Sequence, residues 1–286
     1  MPGARLADFR MGDRTELLVE YCLHSLAFSS RVPRQEDVGH DFVCALAEPR
    51  GDLLWAGAAF SVQAKSDTSS LVFAKEHELQ WLILQENPFF VAVGNKKELR
   101  VDLYSTWQRA RAFLQNGSRK TTLEFAPPLV VGRDVEVTKD RTGQVIYLGK
   151  PILSVTLQQL LDLDQLANAR KVLRAWIDVD RRNIVSSGVG IHWTVGPATY
   201  ETNVSPSLDE VQIGLFWNSQ NLGKCVENFV RSAALLRLTL EASRAPGAPR
   251  PDPVKIQTLE SVMRAWSEAL DPGSKGSLKE HCSLVL

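Results

Sequence analysis

Apolar positions change their period several times along this chain, and each change marks an element. Between Arg14 and Phe28, Leu17, Leu18, Tyr21, Leu23 and Leu26 give one apolar side, and Asp13 stands where a helix cap belongs. Glu16, Glu20 and His24 recur every four residues on another side of that helix. From Phe42 to Leu46 the run is almost wholly apolar; Pro49-Arg50-Gly51-Asp52 supplies turn chemistry, and a second run from Leu53 delivers Gln63-Ala64-Lys65. This predicts a strand, a turn and a returning strand. In the returning strand the period of two sets Ser61, Gln63 and Lys65 on one face and Phe60, Val62 and Ala64 on the other.

Ser66 to Ser70 reads as a polar loop, and a helix is predicted from Lys75 to Gln85, stopped by Asn87-Pro88. Phe89 to Val93 reads as a buried central strand, followed by a turn at Asn95-Lys96-Lys97 and a strand from Leu99 to Tyr104. A short helix over 108–118, strands at Thr121 to Phe125, Val130 to Val137 and Val145 to Leu148, and a soft boundary near 127 follow. From Leu157 to Val185 the spacing turns helical and carries Arg170, Lys171, Arg174, Arg181 and Arg182, a solvated face or a phosphate-contacting one. Beyond it, strands at Ile191 to Thr194 and Val211 to Phe216 precede a long helix over 222–242. A proline-rich linker, Pro246 to Pro253, and a helix over 254–270 end the pattern. Gly188-Val189-Gly190 lacks the third glycine of a nucleotide-binding loop.

Lys plus Arg equals Asp plus Glu at 33 each, so no global basic field draws the chain to nucleic acid, although a local groove remains open. The four cysteines show neither a CxxC pair nor zinc spacing. No run approaches the ~18 apolar residues of a membrane span, and MPGARLADFRMGD has no apolar core of a signal peptide. A cytoplasmic protein with reduced thiols and no membrane partner is expected.

The chemistry gathers on the hairpin. With Asp41 across from Gln63 and Lys65, a carboxylate, an amide oxygen and an ammonium converge, a set able to hold a divalent metal and a phosphate. Each has a plainer role: Asp41 as a turn residue, Gln63 as a partner of the backbone, Lys65 as a guard on a sheet edge. Trp81 and Trp107 read as core or rim aromatics, and His40 as structural.

Asp41 with Gln63-Ala64-Lys65 resembles the PD-(D/E)XK, or restriction-endonuclease-like, nuclease superfamily. The nearest pattern is that of a bacterial domain-of-unknown-function branch with D-x-G-x-D, a hairpin and V-Q-x-K-S, here Asp37, Gly39, Asp41, Val62, Gln63, Lys65 and Ser66. The resemblance covers residues 10–110. It implies an α/β restriction-endonuclease-like mixed sheet flanked by helices over 1–127. A mainly helical α+β C-terminal region, 128–286, follows. It also implies a Mg²⁺- (or Mn²⁺-) dependent endonuclease hydrolysing phosphodiester bonds in DNA, in defence against foreign DNA. Asp41, Gln63 and the Ala64 carbonyl would hold the metal, with Glu16, or Glu20 as second choice, supplying the helix carboxylate. Lys65 would orient water or stabilise phosphate charge. Gln63 stands where many members carry Asp or Glu, which removes one negative charge from the site. Two other classes stay open: a catalytically weak nucleic-acid-binding module, and an interaction protein whose C-terminal helices, over 220–270, form a homodimer or partner-binding layer.

Overall fold

The first helix, α1, spans Ala7–Leu26, so it begins before Asp13, which lies inside it and does not cap it. It also ends two residues sooner than its apolar spacing suggests. Ala27–Arg31 (β1) leaves the helix to pair with the next strand. The structure, a computed structural model, describes residues 7–33, 39–107, 120–126, 135–137, 143–187, 191–194, 200–206 and 212–215, together with 234, 256–257 and 260. The predicted helices over 108–118, 222–242 and 254–270, the linker between the last two, Asp37 and Gly188 to Gly190 lie essentially outside those residues.

In chain order there follow β2 (Phe42–Arg50), β3 (Leu53–Lys65), β4 (Leu71–Phe73), α2 (Glu76–Ile83), β5 (Phe89–Asn95) and β6 (Arg100–Ser105). Then come β7 (Thr121–Glu124), β8 (Val135–Val137), β9 (Gln144–Tyr147), β10 (Leu153–Thr156), α3 (Leu157–Leu161), α4 (Leu163–Ser187), β11 (Ile191–Thr194) and β12 (Gln212–Leu215). The protein therefore mixes helices with mixed sheets. Six strands form the main sheet in the order β1-β2-β3-β5-β6-β10. β1, β2 and β3 form an antiparallel meander, and β5 lies parallel to β3, from Ser61↔Phe89 to Lys65↔Val93. A parallel pair needs a crossover, and β4 and α2 provide it. A second sheet runs β4-β7-β9-β8.

The main sheet is covered differently on its two faces. On one, Leu18, Val19 and Cys22 of α1 and Leu173, Trp176 and Ile177 of α4 close over Phe42, Cys44, Phe60, Val62, Phe90 and Ala92. On the other, Leu79 and Leu82 of α2 with Phe73, Leu123 and Ile146 of the second sheet cover Phe89, Val91, Val93 and Tyr104. β5 is buried on both faces, which is why its sequence is apolar without alternation. Trp107 is buried, and Trp81 is half-buried against Phe73 and Phe89.

Local chemistry fixes the helix starts. The Glu78 carboxylate reaches back to the N–H groups of Ala74 and Lys75 at 2.9 and 3.1 Å. Thr156 and Gln159 cap α3 reciprocally, and Asp162 accepts from the N–H groups of Asp164 and Gln165 to begin α4.

The chain divides elsewhere than near 127. One unit comprises Met1–Asp180 with Val195–Val211, the other Arg181–Thr194 with Gln212–Leu286. The reason is β10, which pairs with β6 from Leu153↔Leu103 to Thr156↔Arg100 and completes the main sheet. Residues 128–180 therefore belong with the first unit. In the second unit, β11 and β12 form an antiparallel ladder, Ile191↔Leu215 to Thr194↔Gln212. Among the described residues no helix is long and apolar enough to cross a membrane.

Candidate active site

The β2–β3 ladder ends at Phe42↔Val62, and Asp41 extends it by one further step. Its backbone N–H donates to the Val62 carbonyl at 3.0 Å, and its Oδ2 accepts the Ala64 N–H at 2.7 Å. A carboxylate thus stands where the next rung of backbone would be. Extended residues aim their backbone groups alternately to either side, each residue's N–H and C=O together. Ser61 donates to Pro88 on the β5 side, and Ala64 on the Asp41 side, so the Ala64 carbonyl is turned toward Asp41 as well. Phe60, Val62 and Ala64 belong to the α1 face. By alternation Gln63 and Lys65, both half-buried, take the other.

Lys65 does not reach toward Asp41. Its Nζ donates to the Ser69 carbonyl at 2.6 Å and stands 5.6 Å from the centroid of Phe125. Burial lowers its pKa, and the nearby Asp67 carboxylate works against that shift. Hydrogen bonds from Ser69 hold the Asp67 carboxyl below its ordinary value. The convergence expected of the hairpin is therefore partial: Asp41 and the Gln63-Ala64 backbone meet, while the Lys65 ammonium turns to the loop after its strand.

On α1, Thr15 rests on Gly94, one residue past the Lys65↔Val93 rung, so this turn of the helix lies at the Asp41–Lys65 end of the sheet. Glu16 is there, ion-paired with Arg31 of β1. Glu20 is a turn away, ~6 Å along the axis toward the opposite end, and its partner is His24 at 4.0 Å. Of the two candidate acids, Glu16 shares the end of the sheet with the hairpin site. His40 packs against Trp81 and Phe89, at 5.0 and 5.4 Å between ring centroids.

Among the described residues no group of three or more His, Cys, Asp and Glu is placed to hold a metal. The oxygens the strand register brings to this place are of other kinds: the Asp41 carboxylate, the Ala64 carbonyl and, one step beyond the Phe42↔Val62 rung, the side chain of Gln63. Hard oxygen donors with a single charge suit Mg²⁺, which keeps several of its waters and needs few protein ligands.

Two contributors, Arg31 and Phe125, were not read from the sequence, while Asp67 and Ser69 lie in the stretch Ser66 to Ser70 that reads as a polar loop. Arg31 ends a strand whose first two residues the apolar spacing assigns to the helix, and Phe125 directly follows β7 of a different sheet. The basic run on α4 is largely committed. Arg170 donates to the Ser25 carbonyl at 2.6 Å, and Arg174 pairs with Glu48 and Asp178. Arg182 donates to Gln257 at 3.1 Å, and Lys171 is exposed. Arg170 and Arg174 thereby fasten α4 to α1 and to β2. A cleft of about 280 Å³ lies apart from the hairpin, lined by Ser154, Gln159, Asp164, Asn168 and Asn203 among others. The chain matches no family model, no curated protein and no solved structure.

Proposed function

We propose that this protein is a metal-dependent nuclease of restriction-endonuclease-like architecture that hydrolyses phosphodiester bonds in DNA. The observation that carries the reading is the hydrogen bond from the Ala64 N–H to the Asp41 carboxylate. It ties the head of β2 to the Gln63-Ala64-Lys65 run at the one end of the sheet that also receives Glu16. Further support comes from the order of elements: a helix, an antiparallel meander of three strands, a crossover helix and a strand parallel to the third. The resemblance leads one to expect a helix, a hairpin, a helix and two further strands around such a site; β1 is an addition to that order.

Asp41, the Gln63 amide oxygen and the Ala64 carbonyl would hold Mg²⁺ or Mn²⁺. When bound, the ion supplies Lewis-acid polarisation of the phosphoryl oxygens and a more acidic water. Lys65 keeps a cation beside the phosphate to stabilise the charge that develops on it. Gln63 adds no charge, so metal affinity is low compared with a site carrying two carboxylates. Glu16, neutralised by Arg31, ties the middle of α1 to β1 and would contribute to the ion only if that pair opens.

The test is cleavage of DNA with Mg²⁺ or Mn²⁺ and its loss with EDTA. Lys65→Ala should lose most turnover and keep the fold, Asp41→Asn should lose metal binding together with turnover, and Gln63→Glu should tighten metal binding. A metal-dependent activity untouched by both Lys65→Ala and Gln63→Glu would come from elsewhere and end this reading. DNA binding that weakens with salt but never leads to cleavage would favour the non-catalytic module.

A further inference from the structure

The ammonium of Lys65 is placed by groups outside the Gln63-Ala64-Lys65 run. Ser69 accepts one of its hydrogen bonds through the backbone carbonyl, at 2.6 Å. The Ser69 N–H donates to Asp67 Oδ1 at 2.8 Å, which closes the turn and aims that carbonyl at Lys65. On another side stands the Phe125 ring, 5.6 Å from Nζ and itself held by the edge of Tyr104 at 5.0 Å.

These two supports are cross-braced. The turn leads directly into β4, where Leu71 pairs with Leu123, two residues before Phe125. Beside that rung the Ser70 hydroxyl donates to Glu124 Oε1 at 2.8 Å. The carbonyl and the ring thus flank the two strands of one ladder, β4 and β7, which keeps them from drifting apart independently. An ammonium has three donors, so with one given to Ser69, two remain for phosphate oxygens. The neighbouring carboxylates have partners of their own: Asp41 the Ala64 N–H, Glu124 the Ser70 hydroxyl, Asp67 the Ser69 N–H.

We propose that Phe125, with the Asp67–Ser69 turn, is a positioning device for Lys65, supplied by the second sheet and absent from the hairpin motif. What Lys65 does once positioned rests on the nuclease reading; the placement itself is tested separately. In ¹³C-lysine-labelled full-length protein, with the Lys65 signal assigned through Lys65→Arg, a ring current should displace the ε-methylene resonance. Phe125→Leu, which keeps most of the volume, should abolish the displacement; Phe125→Tyr should retain it. In Mg²⁺-dependent DNA cleavage, Phe125→Leu should lower kcat about three- to tenfold, the scale of one cation–π contact, with KM unchanged. Phe125→Tyr should restore kcat.

A Lys65 resonance that is the same in the parent and in Phe125→Leu overturns the proposal, whatever the activity. So does an unchanged kcat in a Phe125→Leu protein whose resonance has moved. If the parent protein cuts no nucleic acid while the resonance follows the ring, the placement stands and the nuclease reading alone fails.

Discussion

Thr15 is seated directly on Gly94: a Cβ added to Gly94 would meet the Thr15 Cγ2 at 2.6 Å and Leu18 Cδ2 at 3.6 Å. The missing side chain lets α1 approach β5 closely enough to bring Glu16 to the site end of the sheet. Gly94→Ala should lift this turn and cost about 1–3 kcal/mol, the usual penalty of overpacking. Removing the clashing methyl with Thr15→Ser should recover much of that loss. Urea unfolding of the two single variants and the double variant measures the coupling; strictly additive losses would show that the two residues do not share a contact.

Glu16 and Arg31 have side chains 19% and 38% exposed. A pair in that setting contributes only ~0.2–1 kcal/mol, so Glu16→Ala and Arg31→Ala should each be mildly destabilising and nearly redundant together. Their effects on metal binding should diverge. Arg31→Ala frees a carboxylate and should raise Mg²⁺ affinity, while Glu16→Ala should leave it as it is or lower it. Calorimetric titration with Mg²⁺ separates the two; a loss of stability in both variants with Mg²⁺ affinity unchanged in both would assign Glu16 to the fold.

Asn203 closes the edge of β10. It sits at φ 65°, accepts the Ser154 N–H at 2.7 Å and donates to the Ser154 carbonyl at 3.0 Å, imitating a neighbouring strand. Asn203→Gly preserves the backbone conformation and removes both bonds. It should cost about 1–3 kcal/mol and expose an unpaired strand edge that promotes self-association. Denaturation together with light scattering at rising protein concentration tests this. Unchanged stability would mean that water replaces the side chain without loss.

The hairpin and the central strand were legible because their patterns are set by burial. β3 has one face under α1, so its period of two could be read from Phe60 to Lys65; β5 is covered on both faces and reads as an apolar run. β1 was not legible, since Ala27 and Phe28 continue the helical count and Ser29-Ser30-Arg31, exposed or half-buried, carry no apolar alternation. β10 is similarly short and follows a proline, and its partner lies in a distant part of the chain. The site divided along the same line. Asp41 and Ala64 are partners within one hairpin, where register follows from a tight turn. Lys65 takes its surroundings from Ser69 and Phe125, and the second of these depends on a sheet pairing that no local pattern announces.

Cys22 and Cys44 are buried free thiols, each with a pKa pushed up to about 12 by burial. The folded state therefore holds these protons more tightly than the unfolded chain, whose thiols have a pKa near 9.0. Their contribution to stability is fully present below about pH 9 and is lost as pH rises toward 12. At pH 8 neither should react with iodoacetamide in the native protein, and both should react in denaturant. Peptide mapping reports each site separately; rapid native labelling of Cys22 would mean that α1 opens readily from the sheet.

The pairing of Leu153 with Leu103, 50 positions apart, has a kinetic consequence. A chain emerging from synthesis can form the β2–β3 hairpin early from neighbours, but the sheet keeps an unsatisfied border at β6 until β10 has been made. Through that interval the side of the molecule destined for Leu173, Trp176 and Ile177 is uncovered, so a fragment stopped near 127 presents both a bare strand and an open apolar face. Closure of such a long loop delays the decisive step of folding. The period of greatest exposure to misassembly therefore falls after the β2–β3 hairpin exists but before the strand that completes its sheet.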